Sequence, residues 1–446
     1  MARIRCSTPV PTRTGGARRR GGAAIAAAVL GAAGLAGCSA SGASGTTTSA
    51  PAQASASSRT AAFYVPPRPL PAAAPGTLIR SAVVRGVPGV PSGATVWRIL
   101  FHSTTITGAD EAESGYVIAP PASDQQPAGG RPVVAWAHGT SGFAAPCAPS
   151  LLPTTGAAPY LLPGLDRFLA AGFVVAAADY QGLGVADGVH PYLLGDSEGR
   201  AVLDATRAAR HLLASSTADR ILIYGHSQGG HAALFAGEMA PTYAPDLHVL
   251  GVVAAAPATG LSTLISVIAT PVGSQFLPYS IPTAWSWSQT YPDLPAATIF
   301  TPAGEAFAAR EVTHGCSDQV AAAIAAQKLR PTDVFRPAAA ADPHVVARAR
   351  ANDPGRVRTT APVLIVQGTA DGTVPPALTD TFVTTMACPV GDTVEYLHAP
   401  GATHETVVLV AAPTIVSWMT DRLAGVQPPS TCSAPGAVGV LGQPAA

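Results

Sequence analysis

The five residues Gly225-His226-Ser227-Gln228-Gly229 constrain this chain more than any other stretch. They fit the pattern G-x-S-x-G and lie between two runs of different character. Residues 221–224, Ile-Leu-Ile-Tyr, are short and apolar and read as a buried strand. Residues 228–240 read as a helix. A strand that becomes a helix across so few residues needs a sharp, strained turn, and flanking glycines let the two elements approach. The turn exposes the Ser227 hydroxyl at a helix N-terminus, where backbone N–H groups favour developing negative charge. A chain with 45 glycines offers chance matches to the pattern, and the strand and helix on either side are what argue against one here.

The rest of the chain repeats this alternation. Strand-like runs occur at 95–101, 115–119, 132–137, 173–178, 249–254, 362–367 and 394–398. Several are continuously apolar, as strands buried on both faces are. Helical patterns fall at 160–171, 196–213, 228–240, 375–386 and 405–423, with Asp196 as the expected N-cap of the second. Strands alternating with helices predict an α/β fold with a mostly parallel central sheet covered on both faces. Residues 258–360 interrupt the alternation. A structureless loop of that length is implausible, so the segment is expected to be an inserted subdomain between core segments 66–257 and 361–432. Its Phe276, Leu277, Trp285 and Trp287 read equally as pocket lining and as the insertion's own core.

The first 37 residues carry six arginines and no acid, which leaves the remainder with a net charge of −6 and no basic patch suited to nucleic acid. Arg18-Arg19-Arg20 followed by a short apolar run reads as an export signal over 1–37. It ends Leu35-Ala36-Gly37-Cys38, which resembles a bacterial lipobox and makes Cys38 the expected lipid attachment point. An ordinary cleaved signal with an incidental cysteine is the alternative. Residues 38–65 read as a flexible tether and 433–446 as a tail. The expected location is outside the cell, either anchored on the outer face of the cytoplasmic membrane or secreted. Beyond the signal, Cys147, Cys316, Cys388 and Cys432 form an even set, and export favours disulfides. Of the three pairings, Cys147–Cys316 and Cys388–Cys432 are favoured, the first tying an early loop to the insertion and the second clamping the tail. No pair has the C-x-x-C spacing of a metal site, and no cofactor is expected.

A serine hydroxyl is a weak nucleophile until a base, usually histidine held by a carboxylate, removes its proton. Asp371 and His404 follow the runs 362–367 and 394–398, at strand ends where such groups can converge on Ser227. Asp318, Asp333, Asp342, Asp353, His314 and His344 lie in the insertion, and His398 lies within a strand. Asp179 is the main competitor as acid, because it too ends a strand, but it precedes the serine. Backbone N–H donors for a developing oxyanion are expected from Gln228 and from Gly139 or Thr140 in the loop His138-Gly139-Thr140-Ser141-Gly142. His226 and His231 read as packing or hydrogen-bonding residues.

The motifs Ala135-Trp-Ala-His-Gly-Thr140, Asp179-Tyr-Gln-Gly-Leu-Gly184, His190-Pro-Tyr192, Gly225-His-Ser-Gln-Gly-Gly230 and Gly368-Thr-Ala-Asp371 together resemble the secretory lipase family of α/β-hydrolases. That family includes the fungal lipase A type and exported actinobacterial members, and the similarity runs over roughly 66–432. The resemblance implies a triad of Ser227, Asp371 and His404, a cap at 258–360, and hydrolysis of carboxylic esters. An ester or lipid is the implied substrate. A small-ester esterase, an acyltransferase and an inactive surface-binding protein are the alternatives. Oligomeric state is not legible in the sequence.

Overall fold

The computed structural model describes residues 60–443, apart from 122–126, 128, 155–159, 187 and 434–437. The expected export signal, Cys38 and most of the expected tether lie outside the described residues. Among the described residues ten strands form one sheet: β1 (Leu78–Val84), β2 (Thr95–Thr104), β3 (Asp110–Ala119), β4 (Arg131–Ala137), β5 (Val174–Ala178), β6 (Thr217–His226), β7 (His248–Ala255), β8 (Val363–Gly368), β9 (Val394–Ala399) and β10 (Gly439–Val440). Their spatial order is β1-β2-β3-β5-β4-β6-β7-β8-β9-β10. The pairs β1–β2, β2–β3 and β3–β5 are antiparallel, and every pair from β5–β4 onward is parallel.

Alternate residues of the central strands feed two cores. Val133, Ala135, Ile221 and Ile223 face one layer, and Val134, Trp136, Leu222 and Tyr224 face the other. The short helix α1 (Leu165–Ala170) covers the second face. The helices α2 (Gly195–Leu213) and α3 (Gln228–Tyr243) cover the first. Between β7 and β8 the described residues add no strand to the sheet. That stretch carries the helices α4 (Leu261–Ile265), α5 (Leu277–Thr290), α6 (Pro302–Glu311), α7 (Ser317–Gln327) and α8 (Pro343–Ala351), among shorter turns. These helices share a core of their own, which Phe143, Tyr192 and Leu194 join from outside. After β8 come α9 (Pro376–Phe382) and α10 (Val407–Leu423), the latter backing the second face. Among the described residues no helix is long and apolar enough to cross a membrane.

Both favoured disulfides are present. Cys147–Cys316 spans 169 residues and Cys388–Cys432 spans 44. Beside the first, Gly142 bridges Cys316 in antiparallel fashion and Phe143 N–H donates to Gly315 O at 3.1 Å. The loop after β4 is thereby stitched to the insertion.

Four sequence expectations need correction. The pattern at 160–171 is helical only over Leu165–Ala170, because Pro163 and the positive φ of Gly164 (75°) delay its start. Asp196 is not an N-cap: α2 begins one residue earlier, with Leu194 in the capping position. The pattern at 375–386 breaks at Phe382 into a π-turn over Val383–Ala387. The tail contributes to the sheet, since Gly439 and Val440 pair with Leu397 and His398 of β9.

Candidate active site

Ser227 stands between β6 and α3 with φ 59° and ψ −119°. Positive φ strains a residue that carries a β-carbon, and such strain persists only where the surroundings impose it. Here they do. Ser227 N–H donates to Ala255 O at 3.0 Å, and Ser227 O accepts from the N–H groups of His231 and Ala258, each at 3.1 Å. The turn leaves no room for side chains on its flanks. A β-carbon on Gly225 would sit 1.7 Å from the Gly229 carbonyl oxygen, and one on Gly229 would sit 1.9 Å from that of Ala137.

Asp371 and His404 follow β8 and β9, strands that pair in parallel and end at the same edge as the serine turn. His404 Nδ1–H donates to Asp371 Oδ2 at 2.8 Å. The same oxygen accepts Gln367 Nε2–H at 3.1 Å, while Oδ1 accepts the backbone N–H groups of Thr373 (2.9 Å) and Val374 (2.8 Å). Burial alone would push this carboxyl upward, but the bond and charge of His404, with the two N–H groups, hold it below the usual carboxylate range. His226 supports the histidine from the other side. Its Nε2–H donates to His404 O at 2.9 Å, and the two rings lie 4.7 Å apart. Burial, with His404 beside it, lowers the His226 pKa to about 3, so it stays neutral.

The loop after β4 meets the serine. A β-carbon placed on Gly139 would be 3.7 Å from that of Ser227. His138 beneath it is fully buried, donates Nδ1–H to Gly139 O at 2.7 Å, and is lowered to about 4 by burial. Tyr180 holds the loop from below, its hydroxyl donating to His138 O at 3.0 Å. Neighbouring Asp179, the sequence competitor for the acid, is fully buried and accepts Ser150 N–H at 2.7 Å and Ser114 Oγ–H at 2.5 Å. It braces this loop region and does not line the space around Ser227. His398 is likewise elsewhere, bonded through Nε2 to Asp380 at 3.1 Å.

Two cavities open onto Ser227. One, with about 930 Å³ of empty space, runs into the insertion between Leu264, Ile268, Phe276, Ala284 and Trp287, with Val374 and Leu378 from the core. The other is a wider cleft of about 1800 Å³, lined by Gly139, Thr140, Ser227 and His404 among others. Ser227 and Tyr279 border both. Of the aromatic and aliphatic candidates in the insertion, Phe276 and Trp287 reach the narrower cavity, while Leu277 and Trp285 are spent on the insertion's core. Among the described residues no group of three or more His, Cys, Asp or Glu is arranged to hold a metal ion.

The model of the secretory lipase family matches residues 160–431. The chain belongs to the secretory lipase family. Relatives of the chain include the "Probable inactive lipase MT1628" of Mycobacterium tuberculosis, 30% identical over 44% of each chain. Lipase A of Moesziomyces aphidis is 25% identical over 42% of this chain and 41% of its own. The chain thus spans less than half the length of these curated relatives. In three dimensions it is similar to Candida antarctica lipase A in its closed state, with a TM-score of 0.69 and 18% identity, covering 84% of this chain and 88% of the other. That likeness establishes the α/β-hydrolase fold.

Behind the serine turn this member of the family carries a buried polar network that sequence reading missed. Gln228 Nε2 donates to Glu198 Oε1 (2.8 Å) and to His190 Nε2 (3.0 Å). Leu193 N–H donates to the same Glu198 oxygen at 2.9 Å, and His231 Nδ1–H to Glu198 Oε2 at 2.8 Å. His231 Nε2–H donates to Asn352 O at 2.8 Å. Donor counting assigns the protons. His190 gives Nδ1–H to Gln181 O at 2.8 Å and must accept at Nε2, so it is neutral, in line with a pKa lowered by burial. His231 donates at both nitrogens, and although burial pushes its pKa down, Glu198 outweighs this and raises it. Glu198 and His231 are therefore a fully buried, hydrogen-bonded pair in which the glutamate favours the protonated imidazole. The bonds that join α2, α3 and the insertion link residues 30 to 121 positions apart and leave no local signature. The one visible cue is a glutamate in the first turn of a helix whose neighbours are apolar or small.

Proposed function

We propose that the chain is a carboxylic ester hydrolase using Ser227 as nucleophile, His404 as base and Asp371 as the group that fixes the histidine's tautomer. The observation that carries this reading is a histidine, His404, bonded to Asp371 and lining one cleft with a serine held at positive φ. Ser227 Oγ attacks the ester carbonyl carbon as His404 Nε2 takes its proton. The tetrahedral intermediate's oxyanion is met by the N–H of Gln228 and an N–H from Gly139 or Thr140. The intermediate collapses, the bond to the alcohol oxygen breaks, and His404 returns the proton to that oxygen. Water, deprotonated by His404, then releases the acid and regenerates Ser227. The apolar cavity suits the acyl chain and the wide cleft the alcohol, with the insertion 258–360 acting as a cap over both. This favours acylglycerol-type or other long-acyl esters. The family's secretory character supports export, and the lipobox-like end of the leader supports a lipid anchor at Cys38.

Hydrolysis of p-nitrophenyl esters from C2 to C16, run beside Ser227→Ala and with fluorophosphonate labelling, tests the reading. Activity and label both lost in Ser227→Ala are expected, with the chain-length optimum separating lipase from small-ester esterase. The name of the mycobacterial relative motivates one rival, an inactive binding protein. Failure of the probe to label Ser227 in folded protein would establish that rival instead.

A further inference from the structure

The segment His190-Pro191-Tyr192 has no part in the catalytic steps proposed above, yet both its end residues bond to residues of the proposed oxyanion site. His190 holds the side chain of Gln228. Tyr192, two residues on, places its hydroxyl 2.8 Å from Thr140 Oγ1. Tyr192 lines the apolar cavity together with Ser227, and Thr140 lines the wide cleft together with Ser227, so the bonded pair links the walls of the two cavities that meet at the serine.

We propose that Tyr192 makes the Thr140 hydroxyl a third oxyanion donor, and so acts as a positioning residue for hydrolysis. A phenol is the stronger acid of the two, so the shared proton lies on Tyr192 and Thr140 Oγ1 accepts it. The Thr140 hydroxyl proton is then left to point toward the reacting carbonyl oxygen. Burial raises the Tyr192 pKa, which keeps the phenol protonated and donating. The ring cannot swing away. It is 2% exposed, packs edge-on to Phe143 at 5.0 Å, and sits in the insertion's core. Thr140 is held from the far side as well, its carbonyl accepting Ser317 Oγ–H at 3.3 Å, next to the Cys147–Cys316 disulfide. A side-chain donor fixed in this way needs no reorganisation as charge develops, which is what gives oxyanion donors their effect.

This inference rests on the ester-hydrolase reading, and the experiment separates the two. Steady-state kinetics on one p-nitrophenyl ester would compare wild type, Tyr192→Phe, Thr140→Val, Thr140→Ser, the Tyr192→Phe/Thr140→Val double variant and Ser227→Ala. Thr140→Val is expected to lower kcat by about 100-fold and Tyr192→Phe by about 10-fold, each with KM within about 2-fold. The double variant should be no slower than Thr140→Val alone, because both remove one device. Thr140→Ser should retain most activity, and affinity for an alkylboronic acid, a mimic of the tetrahedral intermediate, should fall in step with kcat/KM. Tyr192→Phe at wild-type kcat, an effect confined to KM, or additive losses in the double variant would each overturn the proposal. If Tyr192→Phe does not fold, the Thr140 pair decides: equal rates for Val and Ser overturn it. Undiminished hydrolysis by Ser227→Ala would instead remove the reading on which it rests.

Discussion

At the scale of single residues, the site depends on what surrounds each group more than on the groups themselves. Asp371 accepts four hydrogen bonds, of which only one comes from His404. In Asp371→Asn the amide would retain the shape but lose the charge and can present an N–H to Nδ1, favouring the wrong tautomer. We expect kcat to fall by about 10³- to 10⁴-fold with KM little changed, measured on p-nitrophenyl esters. Gly229 offers a test of the turn. Its missing β-carbon would lie 1.9 Å from a backbone oxygen of β4, which is not a flexible group that can yield. Gly229→Ala should therefore destabilise by about 3 kcal/mol or more in chemical denaturation, or fail to accumulate as folded protein. These positions could be picked from sequence because each follows an apolar run. Glu198 could not, and His190 and Tyr192 showed only as part of a motif without a role, because their partners are distant in the chain and their meaning arises only once α2, α3 and the insertion pack together.

Among the elements, the central strands were legible and the edges were not. Strands β4 through β9 are continuously apolar or alternate cleanly, because the sheet buries them. β1 is partly exposed and contains Arg80 and Ser81, and β10 is two residues long, so neither leaves a hydrophobic signal. The insertion was legible only as an interruption, since its short helices bury their faces against one another without a long period. Two predictions belong to it. Ala284, on α5, is 4% exposed and lines the apolar cavity. Ala284→Phe should move the ester chain-length optimum toward shorter acyl groups while sparing C2 and C4 esters, a shift read from the C2–C16 series. The Cys147–Cys316 bridge closes a loop of 169 residues, so opening it in a Cys147→Ser/Cys316→Ser variant should cost about 4–5 kcal/mol in denaturant titration. Activity should fall further than stability explains, because the bridge fixes the loop that carries Gly139 and Thr140.

For the molecule as a whole, buried ionisable groups set the pH dependence of stability, and they do not all pull one way. Burial raises Asp179, Asp204 and Asp392 to about 6 and Glu238 to about 7. Glu113 is also raised, by burial and then by Glu111 and Asp204. For each, the unfolded chain releases its proton first as pH rises past about 4, so stability present in acid is lost as pH climbs through the folded value. His138 and His226 oppose this, since they must stay neutral when folded and so weaken the fold as pH falls below about 6.5. A difference measurement isolates one group. Glu113→Gln should raise Tm at pH 8 and leave it nearly unchanged at pH 4, and an equal change at both would show that Glu113 does not titrate against the fold. Two cavities meet at Ser227. Apart from Ser227 and Tyr279, their walls are built from different residues. On the proposed reading, preference for the acid half of an ester and preference for its alcohol half are thus inherited separately, and selection or laboratory evolution can retune either one while the other stays as it was.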